Sequence, residues 1–520
     1  MSQMLKSSAA MAAATVASRV LGLLREMVYA HFLGAGPVKG AFDLAFMIPN
    51  LFRRLLGEGA LTAAFLPLLK EKEVAAGDAA MWRMANAVIS GFLVTALAVI
   101  AGVLFGVSGY LAWANPQGDV RLMLQLLVVM FPYMGWVCLA AIFMGLLNAR
   151  GFFFIPALGA ALLNVVMIAA VLVFARRMTG GLERQIFALA YGVLVAGVAQ
   201  AAYQLPTLYR TGFRYRWVTP WRHESVRAVA RKMIPGTVGV AAFQINMLVT
   251  QGVAFLINPE IIASFNYAVR LMEFPQGVVG VSLFTFLLPT LSGLAAEKRF
   301  DDFKATLTQG LGYLVYINAF AAAMAFVLAV PIVRLILERG VFDPLSTQRT
   351  ALPLACLALG LIAFSCVGSL TRAFYALGEV KVPVRLSIIC LGLNLAFALV
   401  LIVPFEQAGL ATANTLSAVC QVALLLRALR RHVNGLDLRR LRRESGWIAL
   451  AAAVSGAVAW GVLAWWELWL GAGSLGVRLG AVFVPMLAAG LVYGSVTWWM
   501  PLAPAQEIAA ILRERLVRRQ

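Results

Sequence analysis

Apolar runs of twenty residues or more follow one another along nearly the whole chain, separated by short clusters of charge, glycine and proline. At 1.5 Å per residue such a run matches a bilayer hydrocarbon core of roughly 30 Å. Read against this punctuation, the chain predicts about fourteen helices. They lie near residues 8–33, 40–69, 82–112, 121–149, 153–175, 184–209, 226–257, 260–295, 305–337, 350–377, 382–403, 407–429, 446–470 and 476–500. The alternating strands of a membrane β-barrel are absent. Composition agrees, with 62% of residues hydrophobic and 13% charged, where soluble domains run near ~45–50% and ~25%. The expected class is an all-α integral membrane protein. Its first run starts like a signal peptide, with Lys6 and then alanines, but stays apolar past Arg25 to Leu33. That is longer than a signal core, so it is read as the first span.

A net charge of +20 would suggest nucleic acid in a soluble protein. Here most of the cations sit in short loops between spans, where they set topology. With the N-terminus in the cytoplasm, the loops around Arg210–Lys232 and Arg427–Arg443 and the tail from Arg513 to Arg519 all fall on the cytoplasmic side. Such loops also suit anionic lipid. Loops around Arg176–Arg177 and Arg334–Arg339 dissent. Nucleic acid is therefore not an expected partner. Cys138, Cys356, Cys366, Cys390 and Cys420 lie in apolar runs and read as small packing residues. His31, His223 and His432 are scattered without ligand spacing. No metal and no cofactor is expected.

Weak echoes recur at nearly one interval. LNARGFFFIPALGAALLNVVM resembles AFYALGEVKVPVRLSIICLGLNLAF, pairing Pro156 with Pro383; Pro67 likewise pairs with Pro289, and Gln200 with Gln421. These imply two parallel six-helix repeats around a central cationic cavity, with two extra C-terminal helices. The expected divisions are 1–220, 221–435, 436–503 for the two extra helices, and 504–520 for a basic cytoplasmic tail. Parallel repeats of this kind bind cargo between the halves and expose it to each side in turn.

Charges inside the apolar runs carry the candidate chemistry, because an ionisable group at membrane depth is retained for function. They are Arg19 and Arg25; Asp43, Arg53, Arg54 and Glu58; and Arg270 and Glu273. Asp43 and Arg54 fall on nearly one helical stripe, Arg54 and Glu58 stand at i,i+4, and Arg270 and Glu273 at i,i+3. Pro49 is expected to kink the second span, and Pro275 with Gly277 to break the eighth. The first span is read as offering Arg19 and Arg25 no acid partner. Arginines then exceed acids, which favours an anionic cargo, and the guanidinium fork suits phosphate oxygens. Arg53 points away from Arg54 and is read as reaching for the cytoplasmic surface.

The segments SRVLGLLRE, FLGAG, IPNLFRRLLGEGALTAAFLPLL and RLMEFPQGVVGV resemble the MurJ (MviN) family of lipid II flippases, in the multidrug/oligosaccharidyl-lipid/polysaccharide exporter superfamily. The resemblance spans essentially the whole chain. It implies a bacterial inner-membrane, multi-pass protein that moves lipid II between leaflets and works beside the peptidoglycan synthesis and division machinery. It also implies that Arg19, Arg25, Arg53, Arg54, Glu58, Arg270 and Glu273 lie in or beside the cavity, and that the helix pair in 436–503 forms a groove for the lipid tail. Two departures stand out. Gly40 occupies a position where relatives often carry an acid, with Asp43 one turn later. Val269 replaces the acid of YADRLMEFP. Rival readings are a flippase for another lipid-linked oligosaccharide, a non-transporting scaffold for cell-wall enzymes, and a multidrug antiporter. The antiporter would want an excess of acids. No nucleophile–base pair and no GxxxxGK[ST] loop is present, so neither enzymatic catalysis nor direct use of ATP is expected.

Overall fold

The computed structural model describes residues 3–57, 60–433, 435, 438–471, 473–500, 502, 505 and 506. Every regular element among them is helical. A spanning chain has little choice, since in hydrocarbon each backbone N–H and C=O must find its partner within the segment. The chain forms two compact units, Met1–Ala263 and Ser264–Gln520.

The first unit contains α1 (Gln3–Leu33), α2 (Pro37–Phe52), α3 (Ala60–Ala114), α4 (Gly118–Met130), α5 (Tyr133–Ala149), α6 (Phe154–Ala157), α7 (Gly159–Ala169), α8 (Leu182–Ala202), α9 (Leu205–Arg210) and α10 (Glu224–Ile257). It also holds the start of α11 (Pro259–Ala296). The second unit takes the rest of α11 and α12 (Phe300–Val327), α13 (Ala329–Ile336), α14 (Pro344–Ala376), α15 (Lys381–His432), α16 (Arg439–Leu470) and α17 (Leu475–Trp498). The compact grouping places α10 with the first unit because it packs on α2 and α3.

Nine of the described helical segments are long and apolar enough to cross a membrane, or ten with α4 and α5, bent by 42°, as one span. The fourteen expected segments all fall on helix to within a few residues, residues 58 and 59 lying outside the described part. α15 holds two expected spans, and α3 holds one together with the end of the span before it. α15 has 52 residues, about 78 Å at helical rise, more than twice a hydrocarbon core. It breaks at Glu406, where φ is 47°. α3 breaks at Gly77, where φ is 75°, a conformation that only glycine adopts without strain.

Each unit has its own apolar core. In the first, Phe65, Met81, Met84, Leu146, Leu208 and Phe213 are buried together. In the second, Leu287, Phe303, Leu307, Leu370, Phe374 and Leu425 form the equivalent. The paired glutamines of the repeat make parallel bonds. Gln200 Nε2 donates to Gly159 O at 2.7 Å, and Gln421 Nε2 donates to Ser387 Oγ at 2.9 Å. In both cases a helix reaches back to the span before it.

Pro49 lies inside α2, and the chain then widens into a π-turn, Arg53–Gly57. The expected break at Pro275 and Gly277 does not occur, for α11 runs unbroken from Pro259 to Ala296. Proline removes one backbone bond and crowds one carbonyl. Abandoning the helix in an apolar setting would leave several backbone groups unpaired, so bending is the smaller loss.

Candidate functional site

The charges of the first two spans converge within the first unit. α1 and α2 flank the turn at Gly34–Gly36 and meet in an edge-to-face contact between Tyr29 and Phe42, with ring centroids 6.2 Å apart. Arg25, on α1, forms an ion pair with Glu26 and donates from Nη1 to Asn164 Oδ1 at 3.0 Å. Asn164 lies on α7, and its Nδ2 donates to the carbonyl of Ser18 at 3.1 Å. The guanidinium therefore stands between a carboxylate on its own helix and an amide on a neighbour. The expectation that Arg25 lacks an acid partner is wrong. Successive residues on a helix do not normally face each other, but the arginine stem is long enough to curl back onto Glu26.

Asp43 is engaged as well. Its two carboxylate oxygens each accept from Lys39 Nζ at 2.6 Å, an i,i+4 pair in which Lys39 is 2% exposed. The Tyr29 ring joins the two ion pairs. Its centroid is 5.5 Å from Arg25 Cζ and 5.7 Å from Lys39 Nζ, within reach of cation–π attraction. Two cations and two carboxylates thus surround one aromatic ring.

Sequence reading missed three members of this cluster, Glu26, Lys39 and Asn164. Lys39 is legible as the first member of K-G-A-F-D, but it falls just outside an apolar run that begins at residue 40. Gly40, beside it, has a packing reason. A Cβ there would collide with the backbone carbonyl of Pro259. No residue with a side chain fits unless the start of α11 moves.

Arg53 does not reach for the surface. Its Nε donates to Asn50 Oδ1 at 2.8 Å, and it is half-buried, as is Arg54. Both stand in the π-turn, and Asp43 meets Lys39. Glu58, expected to pair with Arg54, lies outside the described residues. Arg19 is exposed on α1. In the second unit Arg270 Nη1 donates to Glu273 Oε2 at 2.8 Å, and both side chains are about half exposed, at 46% and 49%. That i,i+3 pair is present as the spacing implies.

The profile of the family described as "Lipid II flippase MurJ" matches residues 29–478, well over half of the chain. The chain belongs to the MurJ family. Among its relatives, a "Probable lipid II flippase MurJ" from Vibrio cholerae is 33% identical over 476 residues, 89% of each chain. A "Lipid II flippase MurJ" from Burkholderia cenocepacia is 33% identical over 427 residues, covering 80% of this chain and 82% of its own. A solved MurJ in an inward closed conformation superposes with a TM-score of 0.78 at 21% identity, covering 94% of this chain and 98% of that one. An inward-facing multidrug transporter of the MATE family and MOP superfamily gives 0.66 at 15% identity, covering 81% and 96%. The two solved structures share the fold.

Proposed function

We propose that this protein is a transporter that carries lipid II, the undecaprenyl-pyrophosphate-linked disaccharide-pentapeptide, from the cytoplasmic to the outer leaflet of the bacterial inner membrane. There it becomes available for peptidoglycan synthesis. The observation that carries the reading is the buried cation cluster of α1 and α2 in a chain of the MurJ family. A diphosphate headgroup cannot cross hydrocarbon unaided, because an ionised group there costs several kcal/mol or far more. Arginine and lysine lower that barrier by replacing water around the phosphate oxygens. Arg25 is the central ligand, and Arg19, Arg53, Arg54 and Arg270 are the further cations that meet the headgroup as the protein alternates between its two accesses. Glu273 holds Arg270 in place, and Glu273 and Glu58 are the acids that assist release.

The prenyl tail stays in lipid along α16 and α17. Trp460, Leu468 and Trp469 on α16 and Leu487 and Leu491 on α17 are exposed, as suits helices facing acyl chains. Both termini lie in the cytoplasm, and a membrane potential or ion gradient supplies the drive.

The test replaces the native protein in depleted cells with the wild type or Arg25→Ala and adds a lipid II hydrolase outside the cytoplasmic membrane. External cleavage is expected with the wild type and lost with the variant at equal membrane abundance. Equal cleavage in depleted cells with no other flippase would remove lipid II as the cargo.

A further inference from the structure

We propose that Lys39 is a phosphate-binding residue for the cargo and that Asp43 is its internal stand-in anion when the cargo is absent. The inference rests on the proposed lipid II function and adds a ligand to it.

An ionised lysine that is 2% exposed requires a counter-charge, and Asp43 supplies one with both oxygens at 2.6 Å. For packing alone, an apolar pair of similar volume would serve as well or better, because desolvating two charges offsets most of their attraction. The position of the pair suggests a use. Lys39 Nζ lies 5.7 Å from the centroid of Tyr29, the ring that Arg25 approaches at 5.5 Å. Two cations are thereby assembled around one ring, on α1 and α2, each matched by a carboxylate, Glu26 or Asp43.

A diphosphate carries charge on two phosphoryl groups and can engage two cations at once. When its oxygens take the place of the carboxylates, each cation exchanges one anionic partner for another. The cluster is never left with bare buried charge, so loading and release both avoid the full desolvation penalty. Gly40 keeps the Lys39 end of α2 against the carbonyl of Pro259, which fixes where the ammonium is presented.

The experiment uses the purified full-length protein and two probes, lipid II and undecaprenyl pyrophosphate, with undecaprenol as the uncharged control. Binding is read by native mass spectrometry, and folding by thermal melting. Lys39→Gln is expected to weaken both charged probes about tenfold, the loss of one charge-assisted hydrogen bond, while Lys39→Arg retains binding. Asp43→Asn, which removes the competing anion, is expected to tighten both and to slow release. Undecaprenol should respond to none of them. A folded Lys39→Gln protein that binds lipid II within twofold of wild type overturns the proposal. If that variant does not fold, Asp43→Asn decides, since unchanged affinity there also overturns it. Arg25→Ala separates the two levels. If it too binds normally, the cluster is not a cargo site and the wider reading of this region fails; if it alone loses binding, only the role of Lys39 is refuted.

Discussion

At Gly40 the close approach of α2 to Pro259 rests on a missing Cβ. Gly40→Ala is expected to lower the melting temperature of the purified protein, since overpacking of this kind costs about 1–3 kcal/mol. Gly145→Ala is the matched control. It sits inside α5 with nothing within 4 Å of the new atom, so helix propensity alone acts, and stability should hold or rise by about 0.5–1 kcal/mol. Equal melting of Gly40→Ala and wild type would mean that the contact with Pro259 is not made. The Arg25–Glu26 pair carries a second lesson at this scale. Helix geometry argues against i,i+1 pairs, yet a flexible arginine evades the rule. Side-chain reach, which sequence spacing does not record, decided that partner.

At the scale of elements, one of the two loops that dissent from the positive-inside pattern, the one around Arg334–Arg339, finds an explanation. Arg334 pairs with Glu467 at 2.8 Å and with Glu338 at 3.7 Å, while Arg478 pairs with Glu338 at 3.3 Å. These bridges tie the region following α13 to the end of α16 and the start of α17, so Arg334 works as a connector between helices rather than as a topology signal. Thr347, in the first turn of α14, donates to the same Glu338 at 2.8 Å.

Asp343 caps α14 by accepting from Ser346 N at 2.8 Å. Hydrogen bonds from the Ser346 side chain and then from its backbone N–H hold the Asp343 carboxyl below the ordinary value of 3.8. A depressed carboxyl contributes stability that is present above its unfolded pKa and lost as pH falls through its folded pKa. Asp343→Ala should therefore cost about 1 kcal/mol at neutral pH. The gap from wild type should close as pH drops below 3.8. Unfolding midpoints at both pH values check this, and a pH-independent gap would show that ionisation plays no part in the cap.

For the whole molecule, orientation is the feature to measure. The proposed orientation, with both termini cytoplasmic, turns the junction of α3 and α4 outward and the segment between α9 and α10 inward. In a cysteine-free background, a membrane-impermeant maleimide should label Gln117→Cys in intact cells and label Trp217→Cys only after permeabilisation. The opposite pattern would invert the topology and with it the direction of transport.

The sequence by itself determined the class, the number of apolar segments and most of their limits, because bilayer thickness and the ban on unpaired backbone in hydrocarbon leave so few solutions. Its motifs also pointed to the family, and the Arg270–Glu273 pair followed from spacing alone. Only the tertiary structure decided which partners the other charges have. Asn164 meets Arg25 across 139 positions of chain, and the Tyr29 ring gathers Arg25 and Lys39 from two helices. The same holds where local rules misled. Pro275, expected to break the eighth span, lies inside α11. Local pattern records the period of a helix, but a contact between helices depends on their packing, which no single segment encodes.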